Sequence, residues 1–192
     1  MKKQSTSGFT MVELIVGLAI TAVLMSVGVP SFLSAVKNSR LNSHYGSIVG
    51  SLYLARSEAV KQNSMIAVCA RQSDTSCGSD WKNGWITFVD NPGTGKTAGV
   101  LDSGETVLAL QGPLSGKTNT VAAFGLRHGT ASTDDQTYIR YGNDGASNWT
   151  GGTFLLCDDR GDDSAVALNI VITGDIRKAR AAKDFQNSDL SC

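Results

Sequence analysis

From Leu14 to Leu33 the chain carries no charged residue, and the segment is long enough to cross a bilayer as a helix. Lys2 and Lys3 precede it, and one carboxylate, Glu13, stands at its start within Gly8-Phe9-Thr10-Met11-Val12-Glu13. An acidic residue in such a segment costs about 2 to 3 kcal/mol at the centre of a helix and less near an end, so Glu13 calls for a partner. A cut after Gly8 would supply one. Phe9 would become a free ammonium, and on a helix Glu13 lies one turn away, near enough for opposite charges to neutralise each other. An ordinary secretory leader is cut beyond its apolar region at a small-x-small site. Here the apolar run is longer than such a region, holds Glu13 near its start and leads into more helix.

Without the leader and the membrane helix, on the order of 150 residues remain, enough for one well-buried core. The formal net charge is zero, so no global field selects nucleic acid or an acidic partner, and such binding must come from a local patch. Cys69, Cys77, Cys157 and Cys192 fall in the part that would be exported, which suits an oxidising compartment and two disulfides. Four cysteines allow three pairings. The favoured set is Cys69 with Cys77, closing a hairpin-like turn, and Cys157 with Cys192, pinning the chain end. On a loop-entropy model these closures contribute roughly 2.5 and 4 kcal/mol. Zinc is the weaker reading, because neither C-x-x-C nor histidine at ligand spacing is present.

Pro30 should bend the helix and free a backbone carbonyl, yet Ser31 to Gln62 keeps helical character. Leu41, Tyr45, Ile48, Leu52, Ala55 and Ala59 follow a three-to-four spacing, with Ser43, Ser47, Ser51, Glu58 and Lys61 on other faces. This predicts an apolar stripe covered by the protein's own sheet. Downstream the period becomes strand-like in 64–70, 84–89, 105–110, 120–126, 137–141, 152–157 and 166–173, separated by Gly, Asn, Asp and Ser. Turn chemistry sits at Asn91-Pro92-Gly93-Thr94-Gly95, Ser115-Gly116-Lys117 and Asp144-Gly145. A long helix followed by antiparallel strands gives an α+β fold with the helix laid across a sheet.

The N-terminal pattern resembles the class III signal of type IV prepilins. The resemblance implies a leader of residues 1–8, cleavage after Gly8 by a prepilin peptidase, N-methylation of Phe9, and Glu13 as the acidic fifth residue of the mature chain. Residues 9–62 would be the transmembrane and assembly helix and 63–192 the β-rich globular domain. Leu54-Ala55-Arg56-Ser57-Glu58-Ala59-Val60, Gly84-Trp85-Ile86-Thr87-Phe88-Val89-Asp90, Gly152-Thr153-Phe154-Leu155-Leu156-Cys157 and Ile172-Thr173-Gly174 are similar to the GspH/FimT minor pilins. That family implies a low-abundance subunit of a type IV pilus, near the tip, which supports assembly, adhesion, motility or DNA uptake. The implied partners are other minor and major pilins, the prepilin peptidase, the inner-membrane assembly platform and membrane lipid. The chain would wait in the bacterial inner membrane and then enter a filament, with its globular domain periplasmic or extracellular. A minor pseudopilin H of type II secretion and a DNA receptor of natural transformation are the alternatives.

Some members of the family bind DNA through a C-terminal Gly-Arg-x-Arg motif. This chain reads Gly174-Asp175-Ile176-Arg177-Lys178-Ala179-Arg180, so Arg177 matches the second arginine and Asp175 replaces the first. Arg177, Lys178, Arg180 and Lys183 still form a basic cluster, whose contacts to phosphate would be sequence-independent and sensitive to salt. The competing reading, a solvated final strand and tail, is favoured because no aromatic residue interleaves with these charges.

Three other patterns carry less. Gly93-Thr94-Gly95-Lys96-Thr97 lacks the first glycine of a phosphate loop, where Asp90 stands, and reads as a hairpin loop. Asp158-Asp159-Arg160-Gly161-Asp162-Asp163 lacks the spaced ligands of a calcium loop and reads as a charged turn. Asn148-Trp149-Thr150 fits a glycosylation sequon of little weight in a chain with a bacterial export signal. His44 and His128 are expected at solvated surface, no nucleophile elbow or metal-ligand pair is present, and neither an enzyme nor a cofactor is expected. The mature protein should therefore lack Met1 to Gly8 and carry one added methyl; a mass showing loss of about thirty residues would contradict this. The DNA reading predicts that the protein shifts linear DNA and that removing the charges of Arg177 and Arg180 abolishes the shift; equal binding by the double variant contradicts it.

Overall fold

The computed structural model describes residues 8–91, 93, 95–116, 118–127, 130–135, 137–147, 150–180, 182–184 and 188–192, with 118–127, 130–135 and 180 described in their backbone alone. One helix, α1 (Met11–Gln62), runs unbroken through Pro30. The chain divides into two compact units, Met1–Ser39 and Arg40–Cys192. In the first unit, α1 exposes its large apolar side chains on every side, among them Leu14, Ile15, Leu18, Ile20, Leu24, Val27 and Phe32. Such a helix needs lipid or other helices around it, and it is long and apolar enough to cross a membrane.

In the second unit the remainder of α1 is followed by β1 (Ile66–Ser73), β2 (Ser76–Cys77), a 3-10 turn (Trp81–Asn83), β3 (Trp85–Val89), β4 (Val107–Gln111), β5 (Thr118–Arg127), β6 (Thr130–Asp135), β7 (Tyr138–Tyr141), β8 (Gly152–Asp158), a second 3-10 turn (Asp162–Ser164), β9 (Val166–Ile170) and β10 (Ile176–Arg180). The strands form two five-stranded antiparallel sheets. The first runs β2-β1-β3-β4, with β7 also paired to β1, and the second runs β10-β9-β8-β5-β6. The fold is α+β, a long helix packed on antiparallel sheets.

The stripe of α1 that packs is Leu41, His44, Ile48, Leu52, Ala55 and Ala59. It meets Ile66, Val68, Trp85 and Ile139 of the first sheet and Phe154, Leu156, Leu168 and Ile170 of the second. Ala55 and Ala59 let the helix approach the strands closely, while Trp85 sends its indole N–H to the Ser51 hydroxyl at 2.7 Å. Trp81 stands edge-on to Phe154 at 4.6 Å between centroids and fills the space beside the helix.

Three sequence expectations need correction. His44 is buried, not solvated: it lies three residues after Leu41 and four before Ile48, and its Nε2 donates to the Ser115 carbonyl at 3.0 Å. Tyr45 sits at the stripe's margin instead, partly buried. The strand expected over 166–173 ends at Ile170, because Val171 to Gly174 turn the chain into β10, where Gly174 adopts φ +82°. His128, Pro92, Thr94, Lys117 and the Asn148-Trp149 pair lie outside the described residues.

A buried ion pair organises the long connection from β3 to β4. Asp90 follows the last residue of β3, and its Oδ2 lies 2.7 Å from Nε of Arg140 on β7 while accepting the Gly99 N–H at 2.9 Å. Both side chains are nearly inaccessible. The pair is close, but the Arg140 Nε–H does not point along a hydrogen bond, and Nη2 is buried without a hydrogen-bond partner. Glu105, also buried, accepts the Asn91 and Asp102 N–H groups at 3.1 and 2.9 Å and pairs with Lys96 at 3.5 Å. Lys96 and Thr97 thus serve a loop held by carboxylates, between antiparallel partners β3 and β4.

Burial holds the Asp90 carboxyl above its usual range, opposed by the Gly99 N–H and by Arg140, with Glu105 and Asp102 adding to the rise. For a carboxyl raised in the folded state, the protonation-linked stability is full below the ordinary value of about 4 and is lost as pH rises through the raised value. Asp90→Ala should cost about 3 kcal/mol by leaving Arg140 buried without its counter-charge, and adding Arg140→Met should recover at least half. Thermal denaturation of the full chain in detergent at pH 7 measures both; equal losses in single and double variants would contradict the pairing.

Candidate functional site

The head of α1 carries the first group of expected site residues. Gly8 and Phe9 are exposed, and the helix begins two residues later. Glu13 Oε2 accepts the Thr10 backbone N–H at 2.9 Å and the Thr10 hydroxyl at 2.8 Å, and the Glu13 N–H donates back to Thr10 Oγ1 at 3.3 Å. This is a capping box: a threonine at the N-cap and a glutamate three residues on satisfy each other's backbone donors. In the uncut chain the carboxylate is therefore held by Thr10 and not by Phe9. The signature Thr-x-x-Glu stood in the sequence and identifies Thr10 as a functional residue that the charge argument alone passed over. A negative charge in the first turn also suits the helix dipole. Lys2 and Lys3 lie outside the described residues.

The second group, the basic cluster at the chain's C-terminal end, is divided by the fold. Ile176 of β10 packs into the core, and Lys178, two residues on, turns the same way: its Nζ donates to Asn42 Oδ1 at 3.0 Å and sits 4.7 Å over the Tyr45 ring. Arg177 stands between them and so faces the other side of the sheet, opposite Asn169. Lys183 pairs with Asp189 at 2.6 Å. Arg180 closes β10, its position given by the backbone, in register with Val166. The four residues are thus spread over two faces and a turn.

Asp175, which replaces an arginine of the DNA-binding motif, has a partner in α1. Its Oδ1 accepts from Arg56 Nη1 at 3.1 Å, and Arg56 Nη2 donates to the Thr173 carbonyl at 3.1 Å. The turn before β10 is tied to the turn after β7 as well, since Ser147 donates its N–H to the Ile172 carbonyl at 2.9 Å. Gly174 permits this closeness. A Cβ built on it would stand 2.1 Å from the Gly145 carbonyl oxygen.

Two disulfides join Cys69 to Cys77 and Cys157 to Cys192, with Cα–Cα separations of 5.7 and 5.8 Å. The first closes β1 onto β2, and the second fixes the last residue beside β8, where the Cys192 N–H also donates to Asp162 at 2.6 Å. In the acidic run after β8, Asp158 binds Arg160 through both carboxylate oxygens. The pair is largely shielded from solvent, and the hydrogen bonds to Asp158 hold the Arg160 guanidinium above its usual range. Among the described residues, no group of three or more His, Cys, Asp or Glu side chains is placed to hold a metal.

The chain matches the family model for type II transport protein GspH over residues 46–175, which cover most of the packed stripe of α1 and the strands from β1 to β9. It belongs to the GspH family. Residues 3–29 match the prokaryotic N-terminal methylation motif, so the exposed apolar helix with Thr10 and Glu13 at its head is the N-terminal segment of a prepilin-type protein. Among solved structures, the chain is similar to the type IV minor pilin FimU of Pseudomonas aeruginosa. One crystal form aligns with a TM-score of 0.52 at 23% identity, covering 77% of this chain and 93% of that one. A second form aligns at 0.48, 23%, 74% and 95%. No curated protein sequence matches the chain significantly. This GspH-family chain has the type IV minor pilin fold and is a structural subunit of the pilus and pseudopilus class, not an enzyme.

Within this family member the turn at Gly174 should outweigh the ion pair beside it. Gly174→Ala meets both a left-handed backbone and the Gly145 carbonyl, and should cost at least about 2 kcal/mol. Asp175→Ala removes a partner from a pair that is about half exposed, and should cost under about 1 kcal/mol. Melting temperatures of the two variants in the same detergent give the order; a larger loss from Asp175→Ala would contradict it.

Proposed function

We propose that this GspH-family chain is a minor subunit of a type IV pilus, inserted near the tip and needed for assembly. A prepilin peptidase would cut after Gly8, Phe9 would be methylated, and the chain would wait in the inner membrane until the assembly platform passes it into a filament with other minor and major pilins. The observation that carries this reading is the head of α1. A carboxylate held by Thr10 stands at the mouth of an apolar helix whose side chains are uncovered. Such a surface is costly in water and suits lipid first and a helical filament core afterwards. Glu13 Oε2 is occupied by Thr10, and Oε1 makes no hydrogen bond among the described residues. One carboxylate can thus cap its own helix and still meet an ammonium.

The match to a type II transport family favours a second owner, the secretion pseudopilus, for the same subunit chemistry. Loss of pili or twitching on deletion would assign the chain to the pilus, and loss of secreted enzymes to the secretion system.

Substitutions at Glu13 separate its two duties. Glu13→Gln keeps a side chain able to complete the capping box, and Glu13→Ala removes both cap and charge. If the charge serves assembly, both variants should be cleaved normally and should enter filaments about tenfold less than the native chain, the effect of losing one charged contact worth about 1.4 kcal/mol. Immunoblots of cell and sheared-filament fractions report both steps. Normal incorporation of Glu13→Gln would leave only the helix cap as the role of this residue.

A further inference from the structure

After Glu13 the chain holds no acidic residue until Glu58, and a second stretch free of acid runs from Thr106 to Thr133. The fold brings parts of the two together. His44 donates to the Ser115 carbonyl at 3.0 Å, and a Cβ built on Gly116 would stand 2.3 Å from Arg40 Nη1, so the Arg40 guanidinium lies against that turn. On the opposite margin of the packed stripe, Lys178 of β10 reaches Asn42 Oδ1 and the Tyr45 ring. Among the described residues Arg40 makes no ion pair or hydrogen bond, and both of these partners of Lys178 are neutral. Arg56, Arg71, Lys96, Arg140 and Arg160 of the same unit each have a carboxylate. Two cations therefore flank one turn of α1 with their charge uncompensated.

The place of that turn along α1 says what it meets. Leu33 ends the uncharged run, and Arg40 follows it by about 10 Å of helix. The headgroup layer outside the hydrocarbon is about 5 to 7 Å deep on each side. Side chains on a helix lean towards its N-terminus, so the Arg40 guanidinium can reach back into that layer while its stem stays on the helix. Lys178, held at Asn42, stands further out, within about 8 Å of the layer, the range over which charge acts at physiological salt. Lys and Arg beside a membrane helix normally gather on the cytoplasmic side, where Lys2 and Lys3 are expected. Cations close behind the run on the far side oppose that orientation, and so call for a use of their own. Nucleic acid is a poorer occupant, because the aromatic ring at this turn, Tyr45, is covered by Lys178 and not free to stack on a base.

We infer that Arg40 and Lys178 hold the phosphates of anionic phospholipids on the far face of the membrane, and so seat the β-rich unit on the bilayer before the chain leaves it. This rests on the membrane stage of the reading above and not on entry into a filament. Arg40 supplies the direct contact, its guanidinium fork matching two phosphate oxygens, and Lys178 adds attraction towards the charged surface.

Native mass spectrometry of the full chain in detergent, titrated with phosphatidylglycerol or phosphatidylcholine, tests the inference by counting retained lipid. Phosphatidylglycerol should be retained in preference. Arg40→Gln should weaken its retention about fivefold, the factor that corresponds to about 1 kcal/mol for one cation at an anionic surface, and leave phosphatidylcholine unchanged. Adding Lys178→Gln should remove the preference, while Arg177→Gln, on the other face of the sheet, should keep it; all variants should melt as the native chain does. Equal retention by the double variant overturns the inference, and so does an equal loss with Arg177→Gln, which would make net charge the cause. Binding of inorganic phosphate that depends on Arg40, without a preference between the lipids, overturns it in favour of a free anion. A shift of linear DNA that Arg40→Gln abolishes while lipid retention holds overturns it in favour of nucleic acid. Failure of the native chain to float with vesicles of either lipid removes the membrane stage as well, whereas loss of the preference alone leaves that stage standing.

Discussion

The stripe from Leu41 to Ala59 supplies the apolar surface against which both sheets close, and the rest of the β-rich unit depends on that contact. Each Leu or Ile buried there contributes about 1.5 to 3 kcal/mol, more than any exposed ion pair in the molecule can. The helix also brings its polar flank into the same contact. His44 holds the Ser115 carbonyl, Ser51 receives the Trp85 indole, and Arg56 gathers Thr173 and Asp175. The helix thus fixes one strand, β3, and two connections, the one after β4 and the one between β9 and β10. One helix therefore carries both the uncovered apolar segment and the stripe on which the sheets close.

The parts of this fold that could be read in the sequence are those where burial imposes a period. The 3.6-residue spacing of Leu41, Ile48, Leu52, Ala55 and Ala59 marked the packed face, and alternating or continuous apolar runs marked β1, β3, β8 and β9. The edge strands β4 and β7 fall in the expected runs 105–110 and 137–141, but two other edge strands are harder to read. β6 and β10 carry polar and charged residues because, among the described residues, one side of each has no strand to pair with, and that protection looks like a loop or tail in the sequence. His44 was misplaced since a polar residue type was given priority over its position in the stripe, and the carbonyl that satisfies it lies seventy-one residues away.

The candidate site divides along the same line. Gly8, Phe9 and Glu13 sit in a local pattern and could be found without a fold, and the Thr10 cap was available from the same few residues. The basic cluster was different, because its meaning turns on strand parity. Once residues 176–180 form a strand, Arg177 and Lys178 must face opposite ways, and the contact of Lys178 with Asn42 and Tyr45 fixes which way. The carboxylates that hold the β3 to β4 connection were silent in the sequence, since Asp90 and Arg140 meet only after the sheet has assembled.

The covalent closure at the chain's end has a mechanical consequence. β9 and β10 lie wholly between Cys157 and Cys192, so they belong to a ring and not to a free end. A pull transmitted along α1 into the domain could tear these two outer strands from β8, but it could not draw their thirty-odd residues out into extended chain. The length released under load is capped by the bond, and the detached strands stay tethered next to the edge they left. In the filament proposed for this chain, that would convert an unravelling event under load into a short, recoverable slip.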